Sequence, residues 1–160
     1  MTAGLSVSLR PARPLDAGAV GAILHRFETE TPWMPKQHSQ AEAVAFCAVM
    51  IDRGWVTVAQ PCEQGSTAGT EAVAGFLARD GHDIHALYVQ PEQQGRGIGR
   101  HLLRAAMDET AELRLWTFQA NDGAQRFYLR EGFVEIRRTE GTENDEGLPD
   151  IQYLWPAEAS

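Results

Sequence analysis

Leu87-Tyr88-Val89-Gln90-Pro91-Glu92-Gln93-Gln94-Gly95-Arg96-Gly97-Ile98-Gly99-Arg100 is the stretch that decides the fold. A strand runs into a turn with three glycines, and the turn opens a helix whose apolar face carries Leu102, Leu103 and Ala106. Glycine reaches backbone conformations closed to other residues and lets a ligand approach the main chain. The first turn of a helix leaves amide N–H groups unpaired, and the helix dipole adds partial positive charge there. The pattern predicts a pyrophosphate cradle, with Arg96 and Arg100 as further cationic donors. Taken alone, the same glycines would also serve a plain strand–helix connection. Two better-known phosphate motifs are excluded. No Gly-Lys-Ser/Thr follows, so this is not a P-loop. Gly95, Gly97 and Gly99 are spaced G-x-G-x-G, and Leu102 stands where a dinucleotide fingerprint counted from Gly97 needs its last glycine.

Outward from this turn the chain alternates strands and helices. Val7–Arg10 alternates as a short strand stopped by Pro11 and Pro14. Asp16 is placed to cap a helix carrying Val20, Ile23, Leu24 and Phe27, which Thr31-Pro32-Trp33-Met34-Pro35 breaks into a stiff loop with an aromatic at its tip. Ser39 opens a second helix over 40–52, ended by Gly54, and Trp55–Ala59 reads as a strand. Pro61–Thr70 reads as a surface hairpin loop, followed by strands over 71–79 and 83–89. A helix over about 98–110, a strand over 113–118 and a helix over 122–131 with Gly132 as a left-handed C-cap come next. Strands near 133–138 and 150–155, joined by the acidic loop Glu140–Pro149, close the chain. No repeat or linker divides it, so the expectation is one mixed α/β domain over 1–160 with its core over about 5–155.

Length and composition fit that reading. The 160 residues are 43% hydrophobic, enough for a sizeable core. Fourteen Lys and Arg against 22 Asp and Glu leave a net charge of −8, which argues against a nucleic-acid binder and mildly favours a cationic ligand. No apolar run approaches the ~20 residues that span a bilayer, and the N-terminus lacks the pattern of a secretion signal. Cys47 and Cys62 are too few for a disulfide framework. Cys47 sits in an apolar run and reads as core; Cys62, in the loop, reads as an exposed bystander. A reduced, cytoplasmic protein is expected, without a membrane or nucleic-acid partner.

Gln94-Gly95-Arg96-Gly97-Ile98-Gly99 resembles the Q/R-x-x-G-x-G/A signature of the GNAT N-acetyltransferases. Downstream, Asn121-x-x-Ala124-x-x-Phe127-Tyr128-x-x-x-Gly132-Phe133 is similar to that family's second signature, in the right order and at the right separation. Gly141–Glu146 through Pro149-Asp150, Tyr153 and Trp155 resembles a bacterial branch of unassigned substrate. The resemblance implies the GNAT acyl-CoA N-acyltransferase fold: a mixed, mostly antiparallel sheet of six to seven strands flanked by about four helices. It implies acetyl-CoA as cosubstrate, a primary amine of a small molecule as acceptor, direct attack on the thioester, and no metal. A GNAT-like module that binds acetyl-CoA without turnover is the alternative. A homodimer is the assembly common in proteins of this fold.

Roles follow residue by residue. The amides of Gly95, Arg96, Gly97, Ile98, Gly99 and Arg100 and the Gln94 that leads into them would hold the pyrophosphate. The Leu87-Tyr88-Val89 backbone would pair with the pantetheine arm, and Asn121 would bond it, a role compatible with capping the next helix. Tyr128 lies seven residues after Asn121, two helical turns on, and a phenol there suits the general acid that protonates the leaving thiolate. For the base, the family's fifth-strand glutamate is replaced by Trp116. Strand alternation puts His85 and Asp83 on the face of Leu87 and Val89, with His85 nearer neutrality in its ordinary titration. A water relay is the other route. The acceptor is expected between Phe27–His38 and Glu140–Asp150, with Trp33, His38 and Glu28 as candidate contacts.

Overall fold

A computed structural model describes residues 6–62 and 72–156. In chain order the elements are β1 (Ser6–Pro11), α1 (Ala17–Glu30), α2 (Gln40–Asp52), β2 (Val56–Cys62), β3 (Gly75–Asp80), β4 (Asp83–Val89), α3 (Ile98–Glu109), β5 (Glu112–Phe118), α4 (Asp122–Arg130), β6 (Val134–Thr139) and β7 (Asp150–Pro156). They match the expected order, with β2 running further than expected, through Pro61. The rest of the expected hairpin loop, from residue 63, lies outside the described residues, as does the side chain of Cys62.

The central strands are apolar on both faces, so each face needs a cover. Val56, Val58, Phe76 and Ala78 point one way and pack with Val20 and Ile23 of α1 and Cys47 and Met50 of α2. Ala59 and Leu77 point the other way, into a cluster with Leu102 and Leu103 of α3 and Tyr128 of α4. The seven strands form one sheet in the order β1-β2-β3-β4-β5-β7-β6. Every neighbouring pair is antiparallel except β4 and β5, which run parallel. This is the fold class expected from the sequence.

Coverage is unequal. The apolar cluster beneath α1 and α2 draws on β2, β3 and β4 and on no residue of β5, β6 or β7. On that side the second half of the sheet is open, and Trp116 and Val134 stand 42% and 50% exposed. Among the described residues no helix is long and apolar enough to cross a membrane.

Local signals explain most boundaries. Ser39 accepts the Glu42 N–H at 3.1 Å while the Glu42 carboxylate accepts the Ser39 N–H at 2.8 Å, a reciprocal cap that starts α2. Asp16 sits at the N-cap of α1 but does not cap it with its side chain. Its carboxylate instead takes Arg10 at 2.8 and 2.9 Å, and these bonds hold it down to about 2. Cys47 is fully buried, and burial pushes its thiol up to about 11, as the core reading requires.

One expectation fails at β4. Ala78 pairs with Ala86 and Arg79 with Ile84, so His85 is an extra residue, a bulge. Ile84 therefore shares the α3 side with Leu87 and Val89, and alternation is reversed below the bulge. His85 and Asp83 do not share the face of Leu87 and Val89.

Where α1 crosses α2, a Cβ on Gly21 would lie 2.6 Å from Val44 Cα, a backbone atom with no room to give. Gly21→Ala should therefore destabilise the fold by about 1–3 kcal/mol despite alanine's better helix propensity, as read from urea unfolding midpoints.

Candidate active site

The site begins where β4 and β5 part. Their ladder pairs Asp83 with Arg114, and the Arg114 N–H reaches the His82 carbonyl at 2.7 Å. Beyond that point, among the described residues, the strands separate. The edge of Leu87–Val89 that faces β5 is left without a partner strand.

The glycine turn follows at the open end. Gly95 and Gly97 adopt φ of +82° and +81°, which only glycine takes without strain. Gly97 is the N-cap of α3 and has no side chain to cap with, so the N–H groups of Ile98, Gly99 and Arg100 stay exposed toward the cleft. A single-residue change of helix start would hide them; the left-handed Gly97 prevents that by turning the chain abruptly into the helix. The turn is anchored from below by Gln94 Nε2 on the Val89 carbonyl at 3.2 Å. From the side, Arg26 of α1 donates to Glu92 at 2.9 Å and to Gln90 at 3.2 Å.

A cleft of about 870 Å³ opens here. Leu87, Tyr88, Val89, Gln94, Gly95, Gly97, Ile98, Gly99, Arg100, Asn121 and Tyr128, all singled out from the sequence, line it. Arg96 does not: its guanidinium turns back to Gln93 at 3.1 Å. Arg104 and Arg130 line it too and had no signal in the sequence beyond charge. The side chain of Glu131, 5% exposed, takes Arg104 at 3.2 Å and lies 3.7 Å from Arg100, setting both along the cleft wall.

Asn121 caps α4 by accepting the Ala124 N–H at 3.0 Å on Oδ1, which leaves its amide NH₂ free of that duty. Two turns on, Tyr128 is buried among Phe127, Phe133 and Tyr153. Burial pushes its phenol above its ordinary value, so it stays protonated through the neutral range. Its hydroxyl has no hydrogen-bond partner among the described residues.

His85 and Asp83 are not brought to the cleft. The His85 ring stacks on Trp55 at 5.0 Å and 16°, with Arg53 on the same indole, and Asp83 lies 3.7 Å from Arg114 at the far end of β4. The bulge and the direction of β4 together remove both from proton transfer at Leu87–Val89.

The loop after α1 is an internal scaffold. The buried carboxylate of Glu28 accepts the N–H groups of Gln37 at 2.8 Å and His38 at 3.0 Å, and the His38 ring lies 3.3 Å away. Burial raises the Glu28 carboxyl, but these donors outweigh it and hold the group below its ordinary value. Lys36 donates to the carbonyls of Glu28, Thr31 and Met34, closing the end of α1. Trp33 packs edge-on against Phe27 at 6.1 Å and Phe118 at 5.7 Å. Phe27 in turn meets Tyr88 at 4.8 Å. Glu28 and His38 thus shape the loop, while Trp33 bridges the gap between β4 and β5. Among the described residues no group of three His, Cys, Asp or Glu is placed to hold a metal ion.

Beyond Phe118 lies a second cavity of about 380 Å³ on the open half of the sheet. Trp116, Thr117 and Phe118 of β5 and Arg137 and Thr139 of β6 line it with Glu143, Asn144, Glu146 and Asp150. The 140–149 loop that walls it is knitted internally. Asn144 bonds Leu148 both ways at 2.8 and 3.2 Å and reaches Asp150 at 3.1 Å, and Thr139 donates to Asp150. At Gly141, φ is +85° and a Cβ would meet the Leu148 carbonyl. Gln37 ties this wall to the loop after α1 by donating to the Asp145 carbonyl at 3.2 Å.

Residues 40–135 match the sequence profile of the Acetyltransferase (GNAT) domain, and the chain belongs to that family. Among curated relatives, 52 residues are 44% identical to mycothiol acetyltransferase of Streptosporangium roseum, covering 32% of this chain and 15% of that protein. A further 66-residue match, 33% identical, is to the peptidyl-lysine N-acetyltransferase YjaB of Escherichia coli, covering 41% of this chain and 45% of that one. The chain thus spans less than half the length of the first curated relatives it matches, at 15%, 33% and 45%. The solution structure of apo YjaB from Escherichia coli superposes with a TM-score of 0.75 at 22% identity over 96% of this chain and 99% of that one. YncA of Salmonella typhimurium, solved with acetyl-CoA, gives 0.69 at 18% identity over 97% and 96%. At these identities the superpositions establish the fold.

Because the folded Glu28 carboxyl is held below its ordinary value, it contributes stability at neutral pH that is lost as pH falls through the carboxylate range. Glu28→Gln should lower the melting temperature at pH 7 and flatten its fall between about pH 5 and pH 3 relative to wild type.

Proposed function

We propose that this protein is an acetyl-CoA-dependent N-acetyltransferase that acts on a primary amine of a small acceptor. The observation that carries the reading is the uncapped start of α3, opened by two left-handed glycines, facing the same cleft as the Tyr128 hydroxyl. The donor set fits the pyrophosphate of coenzyme A. Three main-chain N–H groups converge on an end bearing about half an elementary positive charge, and no side chain at Gly95 or Gly97 stands between ligand and backbone. Arg100 and Arg104 add cations along the wall. The unpaired edge of Leu87–Val89 offers main-chain donors and acceptors to the amides of the pantetheine arm, and the Asn121 amide can donate nearby.

Acetyl-CoA supplies an acetyl group activated as a thioester. The chain must hold it between β4 and β5, admit a neutral amine, and return a proton to the departing sulfur. Tyr128 suits the last task because burial keeps its proton on until a strong base such as a thiolate forms next to it. The amine nitrogen forms a bond to the acetyl carbon as the carbon–sulfur bond breaks. One amine proton passes to solvent or a carboxylate, and Tyr128 delivers one to sulfur and is reprotonated from solvent. The named relatives act on mycothiol precursors, peptidyl-lysine or L-amino acids only as far as their names say, and these names differ too much to select an acceptor.

The test is release of coenzyme A from acetyl-CoA across a panel of amines. Wild type should release thiol with at least one amine, and Tyr128→Phe should lower kcat by roughly 10²–10⁴ with little change in acetyl-CoA affinity. Binding of acetyl-CoA with no amine-dependent release would mark a sensor module, and no binding would overturn the reading of the glycine turn.

A further inference from the structure

The second cavity carries charges of both signs that have no opposite partner among the described residues. Arg137 makes no ion pair; its guanidinium rests on the Trp116 ring at 4.9 Å, and both residues lie opposite Gln152, one strand to either side of β7. Two residues along, Phe118 and Thr139 flank Asp150 in the same way, so the two rows are roughly 6–7 Å apart. Asp150 is spent inside the loop on Thr139 and Asn144. Glu146 is not: it is half-buried, lines the cavity, and has no hydrogen-bond donor among the described residues. Its neighbour Asp145 is held against the loop after α1, which places Glu146 on the side of the cavity nearest β4. Burial, and after it the Glu146 carboxylate, push the Tyr88 phenol up to about 12, consistent with that position.

Resting on the transferase reading above, the geometry points to an acceptor that carries a carboxylate as well as its amine, a free amino acid, with the carboxylate on Arg137 and the ammonium on Glu146. Arginine presents a planar fork of donors that matches a carboxylate, and stacking on Trp116 holds the fork in place. Glu146 draws the ammonium toward Phe118 and the gap between β4 and β5, and it is placed to take the proton the amine must lose. Trp116 and Phe118 floor the space between the charges and favour a flat or aliphatic side chain. A diamine would satisfy Glu146 and leave an ammonium facing Arg137. A peptide-borne lysine would bring no carboxylate to Arg137 at all.

Matched pairs test this: phenylalanine against phenethylamine, and lysine against 1,5-diaminopentane, each measured for coenzyme A release and, with coenzyme A present, for equilibrium binding by calorimetry. The amino acid of at least one pair should bind and turn over at least tenfold better than its amine. Arg137→Gln should raise KM for that amino acid by roughly 10–100-fold, leave kcat within about twofold, and leave the amine unchanged, while Arg137→Lys should recover part of the loss. Amines that bind as well as the amino acids, a neutral Arg137→Gln, or an internal peptide lysine as the best acceptor would each overturn the inference. Arg137-dependent amino-acid binding without coenzyme A release would uphold this acceptor site and overturn the transferase reading.

Discussion

A parallel pairing of β4 with β5 that holds at Asp83 and Arg114 and then lets go is the constraint on which the rest of the molecule depends. Were the two strands bonded along their length, Leu87–Val89 would have no free edge, the turn at Gly95 and Gly97 would face a closed sheet, and Phe118 would lie against β4. The chain enforces the separation from both sides. Phe27 and Trp33 fill the gap above, linking Tyr88 to Phe118 through ring contacts of 4.8, 6.1 and 5.7 Å. Below, α3 and α4 pack as one apolar cluster with the sheet and put Tyr128 beneath the opening. An aromatic wedge above and a buried phenol below make a dry gap in the middle of an otherwise ordinary sheet.

The cofactor half of the site was legible in the sequence because its chemistry is local. Gly95, Gly97 and the α3 start lie within a few residues of one another, and Asn121 and Tyr128 are two turns of one helix apart, so spacing alone places them. Arg96 is the exception inside that stretch. Alternate residues of a turn point in different directions, and sequence spacing does not say which cation faces the ligand. His85 and Asp83 were misplaced for a related reason. Alternation along a strand holds until a bulge, and the extra residue at His85 is fixed by how Ala78 and Arg79 of a different strand pair with β4.

The acceptor half was hidden because its parts are far apart in the chain. Trp116, Arg137 and Glu146 meet only once β7 has been laid between β5 and β6, a strand order that local patterns do not encode. Arg26 and Glu92, 66 residues apart, meet for the same reason. The residues that did stand out near the acceptor, Glu28 and His38, turned out to hold their own loop together. A buried carboxylate needs donors, and it found them in the backbone next to it.

Two kinds of residue make the acceptor wall, and they are separable. Thr139, Gly141, Asn144, Leu148 and Asp150 bond one another and hold the 140–149 loop in shape whatever it faces. Glu143 and Glu146, like Arg137 across from them, spend no hydrogen bond on the fold. Such a division makes for an evolvable enzyme. Exchanging these outward-facing side chains redraws the clientele of the cavity while the frame, the glycine turn and the thioester end stay untouched, so new substrates can be tried at little risk to folding.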